Sequence, residues 1–263
     1  MFNHTGRIAV IPARGGSKRI PRKNVKLFAG QPMISYAINT AIESQLFDHV
    51  VVSTDDDDIA EISRKFGAEV PFTRPIELSD DETATVPVIV HTINTCLEQG
   101  WAFDSVCCIY PCVPFLQVHD LIDSFRLFKS SEAKFCLAVV EFPSPVQRAL
   151  AMNAQGLVTP YFPENELTRT QDLTIAYHDA GQMYWGSLKS WCSNDRIHSN
   201  AVGYLMPDSR AIDIDTVNDW AKAELLIEKK VFVNVQKQPE AAQNLTEIIG
   251  ADHVQNSSIF DVI

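Results

Sequence analysis

Apolar residues along the first 141 positions follow two periodicities that alternate. Ile8, Ala9, Val10 and Ile11 form a continuous run that stops at Pro12, which predicts a buried strand over residues 7–11. Residues 32–45 place Ile34, Ala37, Ile38, Ala41 and Ile42 on one helical face behind a proline in the first turn. A β-branched strand over 49–53 follows. A helix over 55–66 then has an acidic start and Gly67 at its end. The same alternation gives a helix over 83–99 closed by Gly100, a strand over 104–110, a helix over 117–129 and a strand over 134–141. Repeated strand–helix units predict a three-layer α/β core with a mostly parallel sheet.

The rhythm breaks at Phe142. From there to about Ala176 the chain shows short strand-like pieces among Pro143, Pro145, Asn153, Gly156, Pro160 and Pro163, which reads as an inserted arm and not as a separate domain. Strands over 182–187 and 201–206 and a helix over 216–230 complete the pattern. Residues 1–230 are thus expected to form a single α/β domain carrying the arm, and the more polar residues 231–263 a C-terminal extension.

Charge sharpens this picture. The net charge is −11, which argues against nucleic acid as a partner of the whole surface. Yet the first 42 residues hold seven of the 22 Lys/Arg and none of the 33 Asp/Glu, so positive charge is concentrated near one loop. That suits a small, highly anionic ligand. No apolar run reaches membrane-span length, and the first seven residues lack the features of a signal peptide, so a cytoplasmic protein is expected. The six cysteines form no CxxC pair and read as reduced thiols.

Three stretches carry candidate chemistry. Residues 8–24, IAVIPARGGSKRIPRKN, place Gly15, Gly16 and five cations (Arg14, Lys18, Arg19, Arg22 and Lys23) directly after the first strand. Glycines admit an anion to backbone N–H groups and cations neutralise it, so a polyphosphate is expected at the C-terminal end of that strand. The loop is neither a Walker A sequence nor GxGxxG, and by itself it leaves kinase, nucleotidyltransferase and pyrophosphatase open. In residues 211–216, AIDIDT, the alternation puts Asp213 and Asp215 on one side, suited to a hard cation such as Mg²⁺, with capping of the next helix by Asp215 as the competing role. Residues 177–185, YHDAGQMYW, are rich in groups that hydrogen-bond hydroxyls, or they are simply an amphipathic strand start. The acidic run at 53–58 is expected mainly to cap a helix, and none of the seven histidines receives a catalytic role.

The stretch 12–24, PARGGSKRIPRKN, resembles the signature loop of the sugar-acid cytidylyltransferases, the CMP-sialic acid synthetase family. Residues 52–56 (VSTDD), 74–80 (RPIELSD) and 212–216 (IDIDT) follow in that family's order, and 107–110 (CCIY) and 177–186 (YHDAGQMYWG) look most like its pseudaminic acid branch. The resemblance implies a Rossmann-like α/β fold of the nucleotide-diphospho-sugar transferase type, with an arm over about 142–176 that crosses to a second subunit of a homodimer. It implies that Arg14, Lys18 and Lys23, with Gly15 and Gly16, hold the triphosphate of CTP. Ala13, Asn24, Arg74, Thr83 and Thr85 would surround the cytidine, and Asp213 and Asp215 would bind Mg²⁺. Tyr110, Asp179, Gln182 and Tyr184 are the candidates for the sugar. The expected reaction is attack of a nine-carbon sugar acid, pseudaminic acid, on the α-phosphorus of CTP. The same reaction on N-acetylneuraminic, legionaminic or ketodeoxyoctonic acid is the alternative, as is a non-catalytic nucleotide-sugar binder. Two departures mark the sugar side: Tyr110-Pro111 stands where sialic acid synthetases have Gln-Pro, and Tyr110-Pro111-Cys112-Val113-Pro114 where the pseudaminic branch has Tyr-Ala-Thr-Ala-Pro.

Overall fold

The computed structural model describes residues 6–193 and 196–237. From the N-terminus its elements are β1 (Arg7–Pro12), a short hairpin of β2 (Leu27–Phe28) and β3 (Gln31–Pro32), α1 (Met33–Glu43), β4 (His49–Ser53), α2 (Asp57–Lys65), α3 (Thr85–Glu98), β5 (Ser105–Ile109), α4 (Val118–Ser130), β6 (Phe135–Glu141), a second hairpin of β7 (Leu150–Met152) and β8 (Val158–Pro160), β9 (Tyr177–Ser187), α5 (Leu188–Cys192), β10 (Ala201–Leu205) and α6 (Val217–Lys237). Six strands form one sheet in the order β10-β6-β9-β5-β1-β4. Only β9 runs antiparallel to its neighbours.

Side-chain alternation along these strands builds two cores. Ala9, Ile11, Cys107, Ile109, Cys136 and Trp185 face α1, α2 and α4. Ile8, Val10, Val51, Val106, Cys108 and Tyr184 face α3 and α5. The expected three layers follow, because strands buried on both faces must be covered on both. A third, smaller cluster joins Ile20 of the cationic loop to Phe28, Phe115, Ile214 and Trp220 of α6. Burying a side chain such as Ile20 is worth about 1.5–3 kcal/mol, so the loop is pinned at its centre.

Two elements are longer than the sequence pattern indicated. The strand expected over 182–187 begins at Tyr177, because its first residues pair with the end of β6 beyond a shift in register between Leu137 and Val139. A bulge there breaks the period-two signal. The helix expected over 216–230 runs on to Lys237, since no Pro or Gly interrupts it. Its start is capped by Thr216, whose Oγ1 accepts from Asp219 N at 3.2 Å while the Asp219 carboxylate accepts from Thr216 N at 2.8 Å. That reciprocal box, and not Asp215, closes the helix. Of the expected extension over 231–263, residues 238–263 lie outside the described residues.

The arm forms its own β7–β8 hairpin, and both of its ends return to the sheet: Phe142 N donates to Ala176 O at 3.0 Å. Arg148 braces it by donating to the carbonyls of Glu166 and Thr168.

Candidate active site

The chain leaves β1 at Pro12 and turns over the C-terminal edge of the sheet. Ala13 N donates to Ser53 O at 2.9 Å, which ties the start of the loop to the end of β4. Gly15 packs so closely on the start of α2 that a Cβ would stand 2.7 Å from the Asp56 carboxylate, and its N–H donates to Asp55 Oδ1 at 3.0 Å. This is a different use from the one expected of a glycine beside a phosphate. Gly16 has nothing within 4 Å of a hypothetical Cβ, so its backbone stands open.

Two adjoining hollows share Pro12, Arg14 and Pro111 and form one cleft. The first, about 190 Å³, is walled by Lys18, Arg19, Lys23, Asn24 and Asp215. The second, about 250 Å³, is walled by Arg74, Asp81, Thr83, Thr85 and Tyr110. A larger hollow of about 480 Å³ lies where the arm leaves β6, between Phe142, Pro143, Leu205 and Pro207. Its lining includes Glu141 and Asp208 and no Lys or Arg, which makes it a poor seat for a polyphosphate.

The five loop cations separate into two groups. Arg22, held at φ 57°, turns to Asp56 and Asp58 at the start of α2. The other four face the cleft, each against a carboxylate of the protein. Arg14 reaches Asp81 at 2.6 Å and the Asp80 carbonyl at 2.7 Å, and Lys18 also pairs with Asp81. Arg19 pairs with Asp215 at 2.9 Å, and Lys23 donates to Ile214 O at 2.7 Å and reaches Asp215 at 3.4 Å. Asn24 serves the loop itself: its Nδ2 donates to Arg14 O at 2.9 Å, and its Oδ1 accepts from the Cys112 thiol at 3.4 Å. Burial pushes that thiol up to about 12 and keeps it protonated.

Asp213 and Asp215 do project together, because Ile214 between them is buried in the third core. Asp213 makes no hydrogen bond or ion pair among the described residues. Partial desolvation, and then the charge of Asp215, hold its carboxyl above the ordinary carboxylate range. Two oxygen-donor groups that repel one another beside a phosphate-sized hollow fit Mg²⁺, whose remaining ligands are ordinarily waters and substrate phosphates.

Arg74 lies at the floor of the second hollow. It is only 5% exposed, its one ion pair, to Asp55, is 3.5 Å long, and its Nε–H is buried without an acceptor among the described residues. Burial pulls its pKa down, the mark of a cation that its surroundings do not fully satisfy. Thr83 is engaged in a turn, its hydroxyl and N–H both donating to Asp80 Oδ1. Thr85, at the start of α3, meets Tyr110 OH at 3.1 Å.

The four candidate sugar residues come together on the bulged part of β9 and the end of β5. Tyr184 OH donates to Asp179 at 2.9 Å and lies beside the ring of Tyr110, centroids 5.2 Å apart. Gln182 is buried: one amide hydrogen goes to Ala180 O at 3.1 Å and its Oε1 has no hydrogen-bond partner among the described residues. His198, to which the sequence reading gave no role, donates through Nε2 to Asp179 at 2.8 Å. No sequence spacing could have found it, since the contact depends on where the turn before β10 is placed. Asp55 and Asp81 were also missed: one sat inside a run explained by capping, the other in a loop with no periodicity.

A nucleotide-sized, cation-lined cleft above the carboxyl ends of a mostly parallel sheet defines an α/β nucleotidyltransferase. The fold is shared with the solved CMP:2-keto-3-deoxy-manno-octonic acid synthetase complexed with CTP, at TM-score 0.62 and 16% identity over 86% of this chain and 100% of that one. It is also shared with 4-diphosphocytidyl-2C-methyl-D-erythritol synthase from Anaerococcus prevotii, at TM-score 0.58 and 12% identity over 85% and 99% of the two chains. The family model described as Cytidylyltransferase matches residues 8–246, and this chain belongs to that family. Pseudaminic acid cytidylyltransferase of Campylobacter jejuni is 41% identical over 83% of this chain and 95% of its own length. CMP-N,N'-diacetyllegionaminic acid synthase of Legionella pneumophila is 33% identical over 84% and 96%.

Proposed function

We propose that this chain activates pseudaminic acid, joining CMP from CTP to the sugar's anomeric hydroxyl and releasing pyrophosphate. The observation that carries the reaction is the meeting, around one cleft, of four loop cations, the unsatisfied Arg74 and the Asp213/Asp215 pair. The choice of acid is supported by 41% identity to the Campylobacter pseudaminic acid enzyme against 33% to the Legionella legionaminic acid enzyme.

In this reading Arg14, Lys18 and Lys23 exchange their carboxylate partners for the triphosphate, with the open backbone at Gly16 beside them. Arg74, Thr83 and Thr85 flank the cytidine, with Ala13 and Asn24 holding the loop that closes over it. Asp213 and Asp215 would hold Mg²⁺, which supplies positive charge at the α-phosphate and a lower pKa for the attacking hydroxyl. The new bond forms between the anomeric oxygen and the α-phosphorus as the α–β phosphoanhydride breaks. The hydroxyl proton leaves to solvent, and pyrophosphate departs past Arg14 and Lys18, which stabilise its charge. Tyr110, Asp179 and Tyr184 present hydrogen-bonding groups to the sugar.

The arm offers a surface for a second copy of the chain: Leu150, Met152, Leu157, Val158, Tyr161 and Leu167 are all exposed, an apolar area of the kind that is ordinarily covered. Six free cysteines support a reducing, cytoplasmic setting. Among the described residues no helix is long and apolar enough to cross a membrane. The test is pyrophosphate release from CTP with pseudaminic, legionaminic, N-acetylneuraminic and ketodeoxyoctonic acids. Fastest release with pseudaminic acid is expected. Preference for another acid would move the specificity, and release with none would favour a nucleotide-sugar binder.

A further inference from the structure

Asp179 sits where the pairing of β9 with β6 loses register. Val139 is opposite Asp179 while Leu137 is opposite Tyr184, so Ala180, Gly181, Gln182 and Met183 fill the space of one residue on β6. Gly181 takes φ +62° in this bulge, a conformation that a residue with a Cβ rarely adopts. The fold-back lets the Asp179 carboxylate accept from its own strand twice, from Gly181 N at 2.8 Å and from Tyr184 OH at 2.9 Å. The third donor comes from elsewhere. His198 lies in the 3₁₀ turn Ile197–Ser199, which feeds β10 on the other side of β6, and its Nε2 stands 2.8 Å from Asp179 Oδ2. A carboxylate only accepts, so Nε2 carries the hydrogen and the imidazole is held in that orientation.

The hydrogen-bonded groups continue inward. Tyr184 packs against Tyr110, whose hydroxyl meets Thr85 Oγ1 at 3.1 Å, and both Tyr110 and Thr85 line the cleft. On the other side the bulge reaches the carboxylate pair: a Cβ on Gly181 would stand 4.0 Å from the Asp213 carboxyl carbon. The bulge that Asp179 closes therefore lies between Tyr110 at the cleft and Asp213, and among the described residues His198 is the donor that reaches Asp179 from outside its own strand. The Tyr184 hydroxyl lies 2.9 Å from one Asp179 oxygen and 3.0 Å from the other, so Gly181 and His198, one on each oxygen, set the plane of the carboxylate against which that hydroxyl is oriented.

We infer that His198 is a positioning residue for the sugar-acid half of the site: by donating to Asp179 it fixes the plane of that carboxylate and, with it, the orientation of the Tyr184 hydroxyl offered to the acceptor sugar. This rests on the sugar-activating reading above. It predicts an asymmetric defect. His198→Ala should raise KM for the sugar acid about tenfold, the loss expected when one hydrogen-bonding position is misplaced, while KM for CTP changes less than about twofold. His198→Gln, whose amide N–H can still reach a carboxylate, should recover most of the loss. Unchanged KM values in His198→Ala, an equal rise in both, or a His198→Gln variant as impaired as the alanine would each overturn the inference. An activity-independent measurement separates it from the function itself. Imidazole ¹⁵N shifts should report His198 as the Nε2–H tautomer in the wild-type chain and as a mixture in Asp179→Asn. A wild-type Nδ1–H tautomer would sink the anchor even if the enzyme proved active. If the wild-type chain turned over no sugar acid, the proposed function would fall while these shifts still decided the anchor.

Discussion

Replacing Arg74 by methionine separates binding from folding. The guanidinium is almost fully buried, holds Asp55 only at 3.5 Å, and leaves Nε–H without an acceptor among the described residues. A buried cation so weakly paired adds little to stability, and its partner Asp55 is exposed enough for water to take the place of the guanidinium. Asp55 keeps the Gly15 N–H at 3.0 Å as a donor. The melting temperature should therefore hold or rise. Nucleotide binding should not: a hydrogen bond from a charged donor is worth about 1.5–3 kcal/mol, or roughly tenfold to a hundredfold in affinity. Calorimetric titration with CTP in magnesium buffer, beside a thermal melt of the same preparation, measures both. A CTP affinity within about twofold of wild type would refute the assignment of Arg74 to the nucleotide, and a large fall in melting temperature would show that its role is structural.

Other substitutions test the remaining parts. Lys18→Ala and Asp213→Ala should each lower turnover by orders of magnitude with unchanged circular dichroism, since the proposed mechanism has both groups act on transition-state charge; near-normal turnover in either removes that residue from the mechanism. Asp120→Ala should cost about 3–5 kcal/mol in urea unfolding, because it strands Arg210 in a buried network that also holds Tyr204 and the N–H of Gln117. Desolvation pushes the Asp120 carboxyl up, but Arg210 and the other donors outweigh it and hold it below the ordinary range. A depressed carboxylate stabilises at neutral pH, so this contribution should disappear as pH falls through that lowered value. Thr216→Ala removes the cap of α6 and should cost about 1 kcal/mol, seen as a drop of roughly 2–4 °C in melting temperature. If the arm carries the proposed homodimer contact, light scattering should give a dimer for the wild-type chain and a monomer for Leu167→Glu; the same mass for both would refute a contact through Leu167.

What the sequence disclosed followed from periodicity and local chemistry. The strands β1, β4, β5 and β6 and the helices between them were legible because each is a run of one period bounded by Pro, Gly or acids. The cationic loop and the Asp213/Asp215 alternation were legible for the same reason: residues near in sequence share one side of an extended segment. Contacts across the sheet were not. Asp81 comes to Arg14 and Lys18 from a loop more than sixty residues away, and His198 comes to Asp179 across β6. Neither pairing leaves a local trace. The antiparallel placement of β9 was hidden as well, because its bulge breaks the alternation at Gly181 and moves the start of the strand away from the residues with the clearest pattern.

The distribution of charge bears on how an acidic protein would keep the proposed polyphosphate site in a stable resting state. Unpaired, Arg14, Lys18, Arg19 and Lys23 would repel one another around a hollow of about 190 Å³. Asp81 takes two of them and Asp215 the other two, so half of their charge is offset without a ligand and the cleft keeps a net attraction for an anion. The Asp81 pairs are exposed and therefore weak, and a triphosphate bound as proposed would displace them at little cost. Asp215 differs. In the proposed reading the triphosphate draws Lys23 from Asp215, which leaves that carboxylate less compensated beside Asp213, whose own ionisation is already disfavoured by burial and then by that neighbour. Two carboxylates freed together are stabilised by a divalent cation, so nucleotide and metal binding are expected to reinforce one another. Titrating magnesium at fixed protein with and without CTP measures that coupling, and identical metal affinities in the two series would show that Asp215 does not change partners.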